Sequence, residues 1–344
     1  SATCRYSPTA GTAYSSMTST FSTTGSTSHS TTVSGLSNGN TYNYYVRCQD
    51  TAGNANTNDF TISFSVASAT GPVYYVDRNH PSCSDTNAGT SEIAPWCTLI
   101  RAMSVTAGST VYVKNGIYTE SNDLPNGLPG IRPVNSGTTS APIAFRAYTP
   151  PTGPRHQPQL NVIVSMGSTN DYTIWAGFTS ILNGYRFYAG GFPDLLEGFV
   201  IENCRVDMEP IPFPQGGGNY AGIFIQGARN GIVRNCVVFD VYFNDTTQEN
   251  AAGIMMYLTR NITLENNEIY NANTGIFDKG AGQFNTHRFN YIHDVRTSGI
   301  LKACFGSDVA YGGNPPGCYN LDIYQNIIVT DGIADQGNSG IGIT

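Results

Sequence analysis

Charged residues are scarce in this chain of 344 residues: Asp, Glu, Lys and Arg together make up 12%, and only Lys114, Lys279 and Lys302 are lysines. Helices of a globular protein need Glu and Lys on their solvent faces, so a mainly helical fold is excluded. A basic surface is lacking too. The net charge of −7 and pI near 5.1 leave no cationic stripe for a nucleic-acid backbone. No apolar run is long enough to span a membrane. No CxxC pair occurs, which argues against a zinc cluster.

Present instead are 38 glycines and an abundance of Ser, Thr and Asn, the composition of strands joined by turns. An all-β fold follows, and the length allows two domains. Eight cysteines without metal-ligand spacing favour disulfides, hence an oxidising compartment and a secreted or cell-surface protein. The chain starts at Ser1 without a Met and stops at Thr344 within a repeating pattern, which reads as part of a longer polypeptide. No signal peptide is recognisable.

Residues 1–68 alternate polar and apolar positions between turn clusters, as in Thr41-Tyr42-Asn43-Tyr44-Tyr45-Val46 and Phe60-Thr61-Ile62-Ser63-Phe64. These are sandwich strands. Leu36, Gly39 and Tyr42 stand in an L-x-x-G-x-x-Y arrangement that resembles the tyrosine corner of fibronectin type III and immunoglobulin-like modules. That resemblance implies a disulfide across the sandwich between Cys4 and Cys48. Such modules run to about 100 residues, so this one is partial, and its open edge is a place for self-association. Residues 69–72 form a linker.

From residue 73 to 344 the chain repeats. The segments beginning Ile201, Val233, Leu264, His287 and Ile323 align, and Gly222-Ile223, Gly253-Ile254, Gly275-Ile276, Gly299-Ile300 and Gly340-Ile341 follow them in the same order. If successive coils stack at about 4.8 Å, Val206, Val238, Ile269, Ile292 and Ile328 form an inward aliphatic column. Beside it, Cys204, Cys236, Asn267, Asn290 and Asn326 form a second inward column. Glu202, Arg234, Glu265 and Arg288 alternate in sign outside. The expected fold is therefore a right-handed parallel β-helix, open at its C-terminal end, where a further copy could associate.

Tyr74-Tyr75-Val76-Asp77, the run from Asp85 to Ala102, and Gly108 to Tyr118 closely resemble the first coils of pectate-lyase-like β-helix proteins, including family 9 polysaccharide lyases. The resemblance implies a short capping helix, here about Thr98 to Ala107. It also implies a polysaccharide or glycan as partner, and a lysine base acting with calcium-binding aspartates.

The chemistry that these residues could perform lies along two features. Insertions 207–220, 239–251 and 329–339 leave the solenoid at equivalent corners and carry acids and aromatic rings, among them Glu209, Asp245, Tyr220 and Tyr242, which suit sugar hydroxyls. Asp240, Asn271 and Asp294 share one column and offer oxygens to calcium, although Asp and Asn also end strands for turn reasons. On the Gly-Ile strands, Asp278 aligns with Lys302 as an ion pair between coils, and Lys279 aligns with Gln226, Tyr257 and Ala303. By the family resemblance Lys279 is the candidate base, with Lys302 and Asp278 beside it. His287 falls in an inward column and reads as a hydrogen-bonded core histidine.

Cys83 with Cys97, and Cys304 with Cys318, bracket insertions and read as local disulfides, whereas bonding between Cys204 and Cys236 stays open. Asn244-Asp245-Thr246 and Asn261-Ile262-Thr263 match the glycosylation pattern. Two functions are consistent with this sequence. One is a secreted polysaccharide-directed β-helix protein, a uronate-polymer lyase or glycosidase if catalytic. The other is a non-catalytic adhesin or subunit of an extracellular fibre.

Overall fold

The chain divides into two compact units, Ser1–Ala69 and Thr70–Thr344. The structure, a computed structural model, describes every residue except 1, 34–35, 37–39, 67–70, 123–129, 168, 182–184, 189–194, 209–217, 244–249, 281, 304–319, 331–338 and 344. At 181, 185–188, 330, 339–340 and 342–343 it describes the backbone alone.

The first unit is an antiparallel sheet of four strands in the order Ser19–Thr20, Ala2–Ser7, Thr41–Asp50, Phe60–Ser65. Alternation puts Cys4, Tyr6, Tyr42, Tyr44, Val46 and Phe64 on one face, where Tyr6 meets Tyr44 and Phe21 edge-on and Phe64 stacks on Tyr42 and Tyr44. Cys4 and Cys48 are direct cross-strand partners and form a disulfide. The bridge therefore joins neighbouring strands of one sheet, and not two layers across a sandwich as the resemblance implied. Gly39 of the tyrosine-corner pattern lies outside the described residues.

The second unit is a solenoid of parallel strands. One sheet of nine strands runs from Val73–Val76 to Asp322–Tyr324, each strand paired with its equivalent on the next coil. The remaining two walls belong to a single 14-stranded sheet. They merge because Glu268–Lys279 and Tyr291–Ala303 run unbroken around a corner at which other coils insert their loops. Register holds from coil to coil: Val233 pairs with Leu264, Leu264 with His287, Val206 with Val238, and Ile276 with Ile300.

Column stacking gives the core its continuity. Val206, Val238, Ile269 and Ile292 are fully buried, as are Ile223, Ile254, Ile276 and Ile300, and each such side chain contributes about 1.5–3 kcal/mol. Lower in the solenoid, Phe145 stacks on Trp175 with centroids 4.3 Å apart. Among the amides, Asn290 Nδ2 donates to Asn326 Oδ1 at 2.9 Å and to Leu264 O at 3.0 Å, while its Oδ1 accepts from the Asn267 backbone and amide. Cys204 and Cys236 occupy this column as buried thiols outside any disulfide, with the Cys236 thiol raised well above its ordinary pKa by burial and by Cys204.

The N-terminal end is closed by a 3-10 helix, Ile100–Ser104, that buries Ala102 and Met103; it is shorter than the helix expected from the sequence. Asp85 anchors this cap. Its carboxylate accepts from the Cys97 and Thr98 backbones and from the Thr98 hydroxyl at 2.6 Å. Gly89, at φ 72°, lies so close to the Trp96 indole that any side chain would collide with it. Cys83 and Cys97 form the second disulfide.

Candidate functional site

The Gly-Ile strands show how alternation distributes their polar residues. Ile225 and Met256 are buried core residues, and the same column continues inward with Asp278 and Lys302. Phe224, Met255, Phe277 and Leu301 belong to the opposite face and cluster there. The outward column Gln226, Tyr257, Lys279 and Ala303 follows.

Asp278 and Lys302 thus lie inside the solenoid, 0% and 2% exposed. Lys302 Nζ donates to Asp278 Oδ1 at 2.7 Å and to Gly282 O at 3.5 Å; Asn285 Nδ2 donates to Asp278 Oδ2 at 3.0 Å. His287 Nε2 stands 3.5 Å from the same oxygen, and among the described residues neither ring nitrogen of this fully buried histidine has a closer, well-aligned hydrogen-bond partner. The ring is inward, as its column requires, and its polar neighbour there is the Asp278 carboxylate. Burial pushes the Asp278 carboxyl up, yet His287 and Lys302 outweigh it and hold the group below its ordinary value. A Cβ on Gly282 would collide with Asp278, Lys302 and Asn285. Enclosure on this scale removes Asp278 and Lys302 from contact with any polymer on the surface, a correction to their candidacy as catalytic groups.

Lys279 faces out and is half-buried. Its ammonium donates to Asn250 Oδ1 at 2.7 Å and Asn219 Oδ1 at 3.0 Å and lies 5.1 Å from the Phe277 ring centroid. Two amide oxygens help to hold the cation in place. Tyr220 and Tyr242 have separate partners. Tyr220 stacks on Phe243 at 5.7 Å, and the Arg296 guanidinium covers Tyr242 at 3.5 Å. Glu209 and Asp245, the other two proposed sugar contacts, lie outside the described residues, as do Asn244, Cys304 and Cys318.

Asp240, Asn271 and Asp294 do stack, each with positive φ, of 60°, 49° and 52°. Asn271 Nδ2 donates to Asp240 Oδ1, and Arg296 approaches Asn271 Oδ1 at 3.4 Å. The column does not fit calcium, because a guanidinium and an amide N–H stand where ligand oxygens would have to converge. Its residues serve the left-handed turn. Among the described residues, no group of three His, Cys, Asp or Glu could hold a metal. Asn261 is exposed at another such turn, with φ 54° and its Nδ2 engaged by Asn230 Oδ1 at 2.6 Å.

Three further residues, two at the corner of Asp240, Asn271 and Asp294 and Arg260 at another, were not singled out in sequence. Arg296 closes over Tyr242. His293 lies between Tyr270 and Tyr291, at 5.0 and 4.4 Å, with Asp294 Oδ2 2.8 Å from its Nδ1. Arg260 sits 5.3 Å above the Phe284 ring. The column through Asp207, Phe239, Tyr270 and His293 was available to the same alignment that found the aliphatic one.

No family model and no curated protein matches the chain. Among solved structures it is similar to a rhamnogalacturonan lyase, at 16% identity and TM-score 0.43 over 68% of this chain and 74% of that one. It is similar to a pectate lyase, at 15% identity and TM-score 0.46 over 78% and 80%. A third is the family 28 exopolygalacturonase of Yersinia enterocolitica, at 12% identity and TM-score 0.41 over 91% and 74%. Likeness at this level concerns the course of the chain and not its chemistry.

Proposed function

We propose that the protein is a secreted, polysaccharide-directed β-helix protein whose outer Gly-Ile sheet acts on uronate polymers as a lyase. The observation that carries this reading is Lys279, an ammonium held on the outer wall by Asn219 and Asn250. In β-elimination a base takes the proton beside the carboxylate, the glycosidic C–O bond on the next carbon breaks as the double bond forms, and the departing oxygen takes a proton from solvent. Lys279 in its neutral form is that base. Tyr257 and Gln226, its column neighbours, are placed to meet sugar hydroxyls. The first-coil motif, with Asp85, Gly89 and Trp96 in defined structural roles, supports the family resemblance. The two disulfides favour an oxidising compartment.

A panel of uronate polymers, incubated with the protein with and without added calcium, tests the reading through the ultraviolet absorbance of unsaturated products. Product from at least one polymer is expected; none from any polymer overturns it. The second reading is a non-catalytic surface protein that binds glycan or builds a fibre. It is favoured by the enclosure of Asp278 and Lys302, which leaves Lys279 without them. Binding of a polymer without product, or filaments in electron micrographs, would support it.

A further inference from the structure

Two phenylalanines with solvent-facing rings stand in turns of this solenoid where most coils place Asn. At one corner, Tyr172, Gly198, Asn230, Asn261 and Phe284 succeed one another from coil to coil with φ of 52°, 65°, 55°, 54° and 55°. The last three follow Arg229, Arg260 and Gln283, which are bridged from coil to coil. At the other, Asn203, Asn235, Asn266, Phe289 and Gln325 have φ between 53° and 57°, each directly after a strand of the nine-stranded sheet. The turn imposes the left-handed backbone whatever the side chain. Asn tolerates it because its short amide bonds locally, whereas a bulky side chain is strained there. Tyr172 is held the same way but its ring packs at Gly198, whereas the rings at the two ends of the strand Thr286–Arg288 are left outside the core.

Both rings face solvent, Phe284 at 41% and Phe289 at 45% exposure. Arg260 lies over Phe284 at 5.3 Å and, among the described residues, makes no side-chain hydrogen bond or ion pair. Its five N–H donors are available on an aromatic support. At the other ring, Tyr324 packs edge-on at 6.1 Å, and Arg288 donates to the Tyr324 hydroxyl at 3.1 Å while bonded to Glu265. Thr286 lies between, in the outward column that continues to Asp322.

We propose that this outer face of the nine-stranded sheet is a second glycan-binding site, specific for an acidic oligosaccharide. Phe284 and Phe289 are five residues apart, at most about 17 Å along the extended chain, and stack against sugar rings. Arg260 receives a carboxylate through its planar fork, and Thr286 and the Tyr324 hydroxyl meet ring hydroxyls. The site shares with the lyase reading only the premise of an acidic glycan. It lies on a different sheet from Lys279 and anchors the polymer without acting on it.

The test is calorimetric titration of the full chain carrying Lys279→Ala with a galacturonate oligomer, and with a neutral cello-oligosaccharide of equal length. The uronate oligomer is expected to bind and the neutral one to bind at least about tenfold more weakly. Adding Phe284→Asn, Phe289→Asn or Arg260→Gln weakens uronate binding about tenfold each. Both Phe→Asn variants melt no lower than their parent, since Asn suits the turn. No uronate binding, equal binding of the neutral oligomer, or unchanged affinity in these variants overturns the site. So does a lower melting point in the Phe→Asn variants, which would make the rings structural. Absence of product from the unsubstituted chain, with this binding intact, would sink only the lyase reading.

Discussion

Asp278 and Lys279 are adjacent in the chain and lie on opposite sides of the solenoid wall. Asp278 is fully buried against Lys302 Nζ at 2.7 Å, while Lys279 reaches Asn219 and Asn250 outside. One residue of strand alternation thus separates an internal ion pair from an external cation.

The internal pair lies in a column whose other members, Ile225 and Met256, are apolar. Asp278→Leu leaves the Lys302 ammonium buried without its counter-ion and is expected to destabilise the second unit by about 3–5 kcal/mol. Adding Lys302→Met should recover most of that loss, since two apolar side chains then continue the column. Urea midpoints of the single and double variants check this through a double-mutant cycle.

Acid should unfold the protein through its paired carboxyls. Glu202 is raised by burial but more strongly lowered by Arg146 and Arg234, and Asp278 by His287 and Lys302. Groups depressed on folding stabilise above their unfolded values, 4.5 and 3.8, and lose that contribution as pH falls through the lower folded values. The melting temperature is therefore expected to be flat above about pH 5 and to fall below about pH 4. Tyr148 has the opposite sign. Its hydroxyl bond to Glu92, with burial, raises it to about 12, so its contribution holds below pH 10 and is lost as pH rises through that value.

The amide column predicts an unequal response to Asn→Ala. Asn290 is 1% exposed and bonds to both neighbouring coils. Its truncation leaves buried backbone groups unmatched and should destabilise by about 1–3 kcal/mol. Asn261, on the exposed corner, bonds only to Asn230 among the described side chains, and its truncation should have a smaller effect in the same urea titration.

Reduction should affect the two disulfides differently. Cys4–Cys48 closes a separation of 44 residues and Cys83–Cys97 one of 14. The chain-entropy relation gives about 4 and about 3 kcal/mol. Cys→Ala pairs at each bridge, followed by thermal unfolding, measure the two losses separately.

Much of the solenoid was legible because stacking turns sequence alignment into spatial contact. Aligned Glu265 and Arg288 bond at 2.6 Å, and aligned Asp278 and Lys302 at 2.7 Å. What alignment does not specify is the side of the wall in absolute terms. Only the burial of Ile225 and Met256 in the same column places Asp278 and Lys302 inside, and that demotes two of the three candidate catalytic groups. The calcium column failed for a related reason: Asp240, Asn271 and Asp294 answered the backbone's need for positive φ, a demand that reads in sequence like a ligand set. Phe284 and Phe289 were equally visible as departures from Asn in that pattern, yet only the φ values give the departure physical weight.

Product formation by two variants, followed by ultraviolet absorbance on a uronate polymer, tests the central claim most directly. With the lysine on the outer wall as the acting group, Lys279→Ala abolishes product, while the folded Asp278→Leu, Lys302→Met double variant retains it. Retention in the first and loss in the second would place the chemistry inside the solenoid and contradict the account.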